Sequence, residues 1–323
     1  RVPVRILIKE KIELFPGQKI SGSASAITTD ESRVAALLIV HGAITQMTKP
    51  SSWASGLGAI REGLRENSGD GDAGALIPGM VLGDTSKQSA EFKEAMKRSG
   101  LTHLVAVSGA NFAIVSTFVL WCMQFLIRRK NIRVIATAAA LLCFIALVRP
   151  SPSVLRAAAM AAVLLSAQLG KRGTDSLPAL GFAICAVVLG DPWQSRDAGF
   201  ALSVLATAGL LLLAPRIQER LPAHKKLAGA LAPPIAAMVF CSPILVSLSG
   251  YLSPMSIVAN LLAAPVVAPI TVMGFIAALV SPFAPWLAEL IIFVIRFPAG
   301  FITGVAHWIS AFPVLTIHNG LLG

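Results

Sequence analysis

The chain has 323 residues, is 55% hydrophobic and 13% charged, and combines a mean hydropathy of +0.74 with a formal net charge of +11. Soluble domains hold about 25% charged residues, so this balance, carried by sustained apolar runs, excludes an ordinary soluble protein and defines a polytopic helical membrane protein. Cys122, Cys143, Cys185 and Cys241 each lie in an apolar segment and form no CxxC pair, so they supply neither a disulfide framework nor a zinc-ligand spacing and read as packing residues.

The chain opens at Arg1 without a basic-then-apolar leader, which reads as a piece of a longer protein. Residues 1–50 carry β signals. Val2, Val4, Ile6 and Ile8 alternate with Pro3, Arg5, Leu7 and Lys9 in an imperfect period of two. Phe15-Pro16-Gly17-Gln18 marks a turn, and Lys19 to Ile27 and Ala35 to Ile44 read as further strands. Such short strands fit part of a small barrel or an irregular β cap.

Residues 51–100 form a second region. Trp53, Leu57, Ile60 and Leu64 make one helical stripe flanked by charges, suited either to the bilayer interface or to packing on the β region. Asn67 to Gly74 is a polar loop, and Ala75 to Leu82 is apolar but short. Thr85 with Gln88 resembles a capping box, and Glu91 to Arg98 continues as a charged helix ending at Gly100.

Residues 101–323 hold about eight apolar segments, at roughly 101–127, 134–148, 152–169, 177–190, 198–214, 228–248, 255–280 and 285–310. The second and fourth are short for a span, and Pro233-Pro234 and Pro298 are expected to kink or break the sixth and last. The basic residues follow a pattern. Arg128, Arg129, Lys130 and Arg133 follow the first segment, Lys171 and Arg172 the third, and Arg216, Arg220, Lys225 and Lys226 the fifth. The positive-inside rule places those exits in the cytoplasm and residues 1–100 outside it. Topology thus accounts for nearly all the positive charge of the membrane part, and the charge is no sign of nucleic-acid binding.

Polar groups inside these segments are the candidates for function, because each costs free energy unless it faces protein or water. They are His103, Ser108 and Asn111 in the first segment, Arg156 in the third and Asn260 in the seventh. Arg156 either snorkels to an interface or lines an internal polar path. Asn260 could hydrogen-bond across helices. Asp197 suits a structural pair with Arg196 or Arg156, and Glu289 and Arg296 lie two turns apart on one face of the last segment. His103 and Ser108 would point roughly 140° apart on a helix and do not make a hydrolase pair. His307 could supply a base, but nothing local supports that role. No nucleotide loop, Cys/His metal cluster or catalytic constellation stands out, so the chain is read as non-enzymatic, with no cofactor and no metal.

Four ordered stretches carry a resemblance. They are SGLTHLVAVSG from Ser99, SVLRAAAMAA from Ser153, DPWQSRDAGFALSVLATAGLLLL from Asp191 and ANLLAAPVVAPITVMG from Ala259. The first closely resembles the GLxHLLAxSGLHV signature of the ComEC/Rec2 competence proteins, and the others are similar to the same family in the same order. LFPGQKISGSA from Leu14 resembles the end of that family's external OB-like domain. One departure is Asn111, where the family usually has His. The resemblance implies a small partial OB-like β region over residues 1–50, interfacial helices over 51–100 and a transmembrane channel domain over 101–323. It implies a bacterial inner-membrane channel that passes single-stranded DNA into the cytoplasm during natural transformation. Its implied partners are single-stranded DNA, the lipid bilayer, other DNA-uptake components and, as an open alternative, further copies of the chain. The nuclease-like domain of many full-length relatives, with its HxHxDH motif, is not in this sequence. The competing reading is a membrane-embedded enzyme or scaffold acting on lipid or envelope substrates.

Overall fold

The computed structural model describes residues 4–7, 18–28, 36–40, 46–49, 51–105, 109–148, 152–169, 176–220, 225–249 and 251–316. The chain divides into two compact units, residues 1–62 and 63–323. In the first, β1 (Val4–Leu7), β2 (Ile20–Ser21), β3 (Ala24–Ile27), β4 (Ala36–Val40) and β5 (Gln46–Met47) form two small sheets. β4 is central in one, parallel to β1 with Val4 opposite Ala36 and antiparallel to β3 with Ala24 opposite Val40. β2 pairs with β5, and the Thr48 hydroxyl accepts from the Lys19 N–H at 2.8 Å to extend that ladder. The stretch Lys19–Ile27, read as one strand, is two, interrupted at Gly22 and Ser23. Helix α1 (Ser52–Asn67) carries the predicted stripe, with Leu64 buried and Trp53 exposed, and the unit boundary falls within it.

The second unit is helical. Helix α2 (Gly71–Leu82) is buried without a break from Gly74 to Leu82. It ends at Gly83, whose φ of 70° lets the chain turn back, so that the Gly83 and Asp84 N–H groups bond to the Gly79 and Pro78 carbonyls. Helix α3 (Ala90–Arg98) starts at Ser89, whose hydroxyl accepts from the Phe92 N–H at 3.0 Å. Ser89, not the Thr85–Gln88 pair, is therefore the cap; Gln88 turns inward, 6% exposed, and donates to the Ala75 carbonyl at 3.4 Å. Gly100 takes a φ of 75° directly after this helix, as its position predicts.

The eight apolar segments are all helical, with three adjustments. The first holds α4 (Thr102–Val105) and α5 (Gly109–Leu126), with residues 106–108 between them outside the described residues. The second, α6 (Lys130–Val148), begins four residues earlier than its apolar part, because Lys130 to Arg133 form its first turn, and at 19 residues it is long enough to span. The fifth is α9 (Ala198–Leu212) followed by α10 (Ala214–Arg220). Between them come α7 (Pro152–Leu169), α8 (Ser176–Gly190) and a 3-10 turn at Pro192–Arg196. Helices α11 (Lys225–Ser249), α12 (Ser256–Val280) and α13 (Pro285–Ser310) complete the set, with a short ribbon of β6 (Tyr251–Leu252) against β7 (Leu315–Thr316).

Among the described residues, six helices are long and apolar enough to cross a membrane: α5, α6, α9 with α10, α11, α12 and α13. Their outward faces are apolar too, with Trp121, Phe125, Leu142, Phe293 and Phe297 each more than half exposed. Helices apolar on the outside are stable in lipid, not in water, and the chain is a multi-pass membrane protein.

Of Pro233, Pro234 and Pro298, expected to kink or break their helices, none interrupts one, and further prolines are carried within helices too. α11 runs unbroken through Pro233, Pro234 and Pro243, α12 through Pro265 and Pro269, and α13 through Pro298. Each proline removes the donor that its own helix would offer four residues back. At Pro243 a side chain replaces it, for the Ser242 hydroxyl donates to the Val239 carbonyl at 3.0 Å.

Candidate functional site

Arg156 lies one turn into α7 and is 4% exposed. Its Nε donates to the Ser203 hydroxyl on α9 at 2.9 Å, and its Nη1 contacts the Met160 sulfur at 3.2 Å. Its Nη2 lies against Gly109, the first residue of α5. Three of the four sequence stretches singled out above thus meet at one guanidinium. Among the described residues no carboxylate pairs with it. A guanidinium has five N–H donors, and among the described residues the Nε and Nη1 contacts are the ones that use them. A mid-membrane arginine costs at least about 2.5 kcal/mol, and one hydrogen bond to a charged group returns about 1.5–3 kcal/mol. Ser203 therefore roughly offsets the burial and leaves the cation with unused binding capacity.

Asn111, 1% exposed and half a turn beyond Gly109, faces α2. Its side-chain amide donates to the Met80 carbonyl at 3.0 Å. That carbonyl is an orphan of the last turn of α2, because the Asp84 N–H that would reach it bonds to Pro78. The Asn111 amide thus makes a hydrogen bond to a neighbouring helix. Val105 of α4 lies beside Gly79, so the signature stretch wraps the buried end of α2 on two sides.

The remaining candidates are not gathered here. His103 folds back locally, its Nδ1 3.1 Å from the Gly100 carbonyl, an arrangement that requires the proton on Nδ1. Ser108 lies outside the described residues. Asn260 donates to the Ser256 carbonyl of its own helix at 2.7 Å. Ser256 packs on Gly100, which joins the start of the signature to α12. Asp197 does not pair with Arg196 or Arg156. Its carboxylate caps α9 by accepting from the Phe200 N–H at 2.8 Å, while Asp191 caps the preceding 3-10 turn. Nor do Glu289 and Arg296 pair: Arg296 donates to the Asp70 carbonyl at 3.2 Å. His307 reaches the Asp72 carboxylate at 2.7 Å. Met80, Ser256 and Asp72 escaped sequence reasoning, since nothing in periodicity ties residues so far apart.

Residues 80–322, well over half of the chain, match the Competence family, described as competence protein. The chain belongs to that family. A 148-residue stretch, 46% of the chain, is 28% identical to ComE operon protein 3 of Bacillus subtilis (strain 168) and covers 19% of that protein. No solved structure matches the chain.

Proposed function

We propose that this chain supplies part of an inner-membrane conduit for single-stranded DNA in natural transformation, with Arg156 contacting the passing phosphates. The observation that carries the reading is the convergence on Arg156 of three family stretches, around a cation that has no acid partner among the described residues. Phosphate oxygens are the acceptors a guanidinium suits best. Family membership and six long apolar helices support the setting. Loop charges favour residues 1–100 outside the cytoplasm, and the proposal assigns the chain no catalysis. Arg156 and Asn111 are buried at 4% and 1% exposure, so passage requires α5, α7 and α9 to part from the arrangement seen.

The test is uptake of end-labelled duplex DNA by cells lacking the gene and complemented with the full-length gene, native or altered. Surface-bound and nuclease-protected label are scored separately. Arg156→Gln should leave surface binding intact and lower protected label about tenfold, the worth of one charge-assisted contact, with Arg156→Lys recovering part of it. Native protected label in Arg156→Gln cells would reduce the arginine to helix packing. Loss of protected label in the deletion must also be seen; full uptake without the gene, in a competent host, removes the conduit reading and favours an envelope enzyme or scaffold.

A further inference from the structure

Helix α13 exposes charge inside a membrane-length run. Glu289 and Arg296 are both exposed, seven residues apart on one face and about 10 Å apart along the axis. Trp286, second in the helix and 68% exposed, suits the headgroup level of a bilayer. Glu289 then lies about one turn below that level, and Arg296 lies near the middle of the span.

The surroundings of the two charges are mixed. To one side Leu290, Phe293 and Phe297 are each more than half exposed. To the other, Arg296 donates to the Asp70 carbonyl and packs on Gly69. Between them runs an open groove of about 460 Å³ whose lining includes Asn67, Glu289, Phe293 and Arg296. Among the described residues neither Glu289 nor Arg296 has an ion-pair partner.

A charge at this depth is strongly disfavoured against acyl chains, so the face calls for a cover in the membrane. Exposed leucine and phenylalanine beside the charges suit an apolar helix surface, and the charges suit polar groups set into that surface. A second copy of the chain does not supply them. Packing α13 on itself about a two-fold axis normal to the membrane would set Glu289 on Glu289 and Arg296 on Arg296. No other spanning helix of the chain carries a cation and an acid seven residues apart.

We propose that this face of α13 docks one spanning helix of a separate membrane protein. That helix carries a Lys or Arg level with Glu289 and, two turns deeper, an Asp or Glu level with Arg296. Leu290 and Phe293 pack on its apolar flank. Paired in this way, both charges are neutralised at the depth where isolated ones are least tolerated. The surface lies on α13 and not among the helices around Arg156, so it does not rest on the DNA reading.

The test is energy transfer in liposomes between labelled full-length protein and synthetic single-span peptides on one leucine–alanine scaffold. The first peptide has Lys near one end and Glu seven residues on, at mid-span. The second exchanges the two charges, and the third has leucine at both positions. The first should bind about tenfold more tightly than either of the others, the worth of one charge-assisted contact. Exchanging the protein's charges, Glu289→Lys with Arg296→Glu, should transfer the preference to the second peptide. If that variant does not fold, Glu289→Gln, which keeps Arg296 on the Asp70 carbonyl, should lose the advantage that Lys gives the first peptide. Equal binding of all three peptides by the native protein would overturn the proposal, since apolar contact alone would then hold them. Binding of none would overturn it too, leaving the face to water or to the protein's own chain.

Discussion

Gly109 is what allows the Arg156 guanidinium its place: a methyl group built on Gly109 would sit 2.5 Å from Nη2. The obstructed atom is the far end of a flexible side chain, so Gly109→Ala moves the arginine and spares the backbone. The expected outcome is a thermal midpoint in detergent near the native value, with protected DNA label lowered as far as in Arg156→Gln cells. Native uptake in Gly109→Ala cells would show that the exact seat of the guanidinium is unimportant.

Gly100 presents a different case. Its φ of 75° and its contact with the Ser256 Cβ leave no room for a side chain. Gly100→Ala should cost about 1–3 kcal/mol from the backbone alone, with the clash added. Ser256→Gly in the same chain should recover only the clash. The measure is unfolding of the purified protein in detergent across the three variants, and full recovery by Ser256→Gly would rule out the backbone contribution.

Removing the Asn111 amide strands the Met80 carbonyl in a buried place. Asn111→Ala should therefore lower stability by about 1–3 kcal/mol. Asn111→His, which restores a ring N–H donor, should lose less. Equal losses would mean that shape at this position outweighs the hydrogen bond.

Tyr251 is the single tyrosine of the chain. Its hydroxyl is buried with no hydrogen-bond partner among the described residues, and Lys97 sits 5.6 Å above its ring. Burial pushes its pKa up, Glu94 adds to the rise and Arg98 opposes it. The folded chain thus holds this proton to higher pH than the unfolded chain does. The linked stability is complete below about pH 10, the ordinary phenol value, and falls as pH rises beyond it. Ultraviolet titration of the phenol should give a midpoint above that of free tyrosine, lower in Glu94→Gln and higher in Arg98→Gln. A native midpoint at the free value would contradict the burial.

Run length and polarity made the membrane class legible, because a helix in lipid must be apolar along its whole exposed length. They also marked Arg156 and Asn111, whose cost in an apolar run is plain from residue type. What the two residues touch was not legible. Ser203 lies 47 residues from Arg156, and Met80 lies 31 from Asn111. Nothing local says which hydroxyl or carbonyl closes such a bond. Asp197 was misread for the opposite reason: its partner is three residues away, and the nearby arginine drew attention from the cap. Pro233 and Pro234 pointed to an interruption of α11, yet the helix continues through them.

Those prolines have a mechanical consequence. In α11 and α12, five positions lack the donor that would lock one turn to the next, and at one of them a serine hydroxyl stands in. Bending at such a turn breaks no backbone hydrogen bond, since none is there to break. Compliance is therefore concentrated at a few addresses along two adjoining rods, and α9, which packs on α11, borders the softer of them. Ser203 rides on α9, so the grip on Arg156 is held by a helix whose neighbour yields before it does.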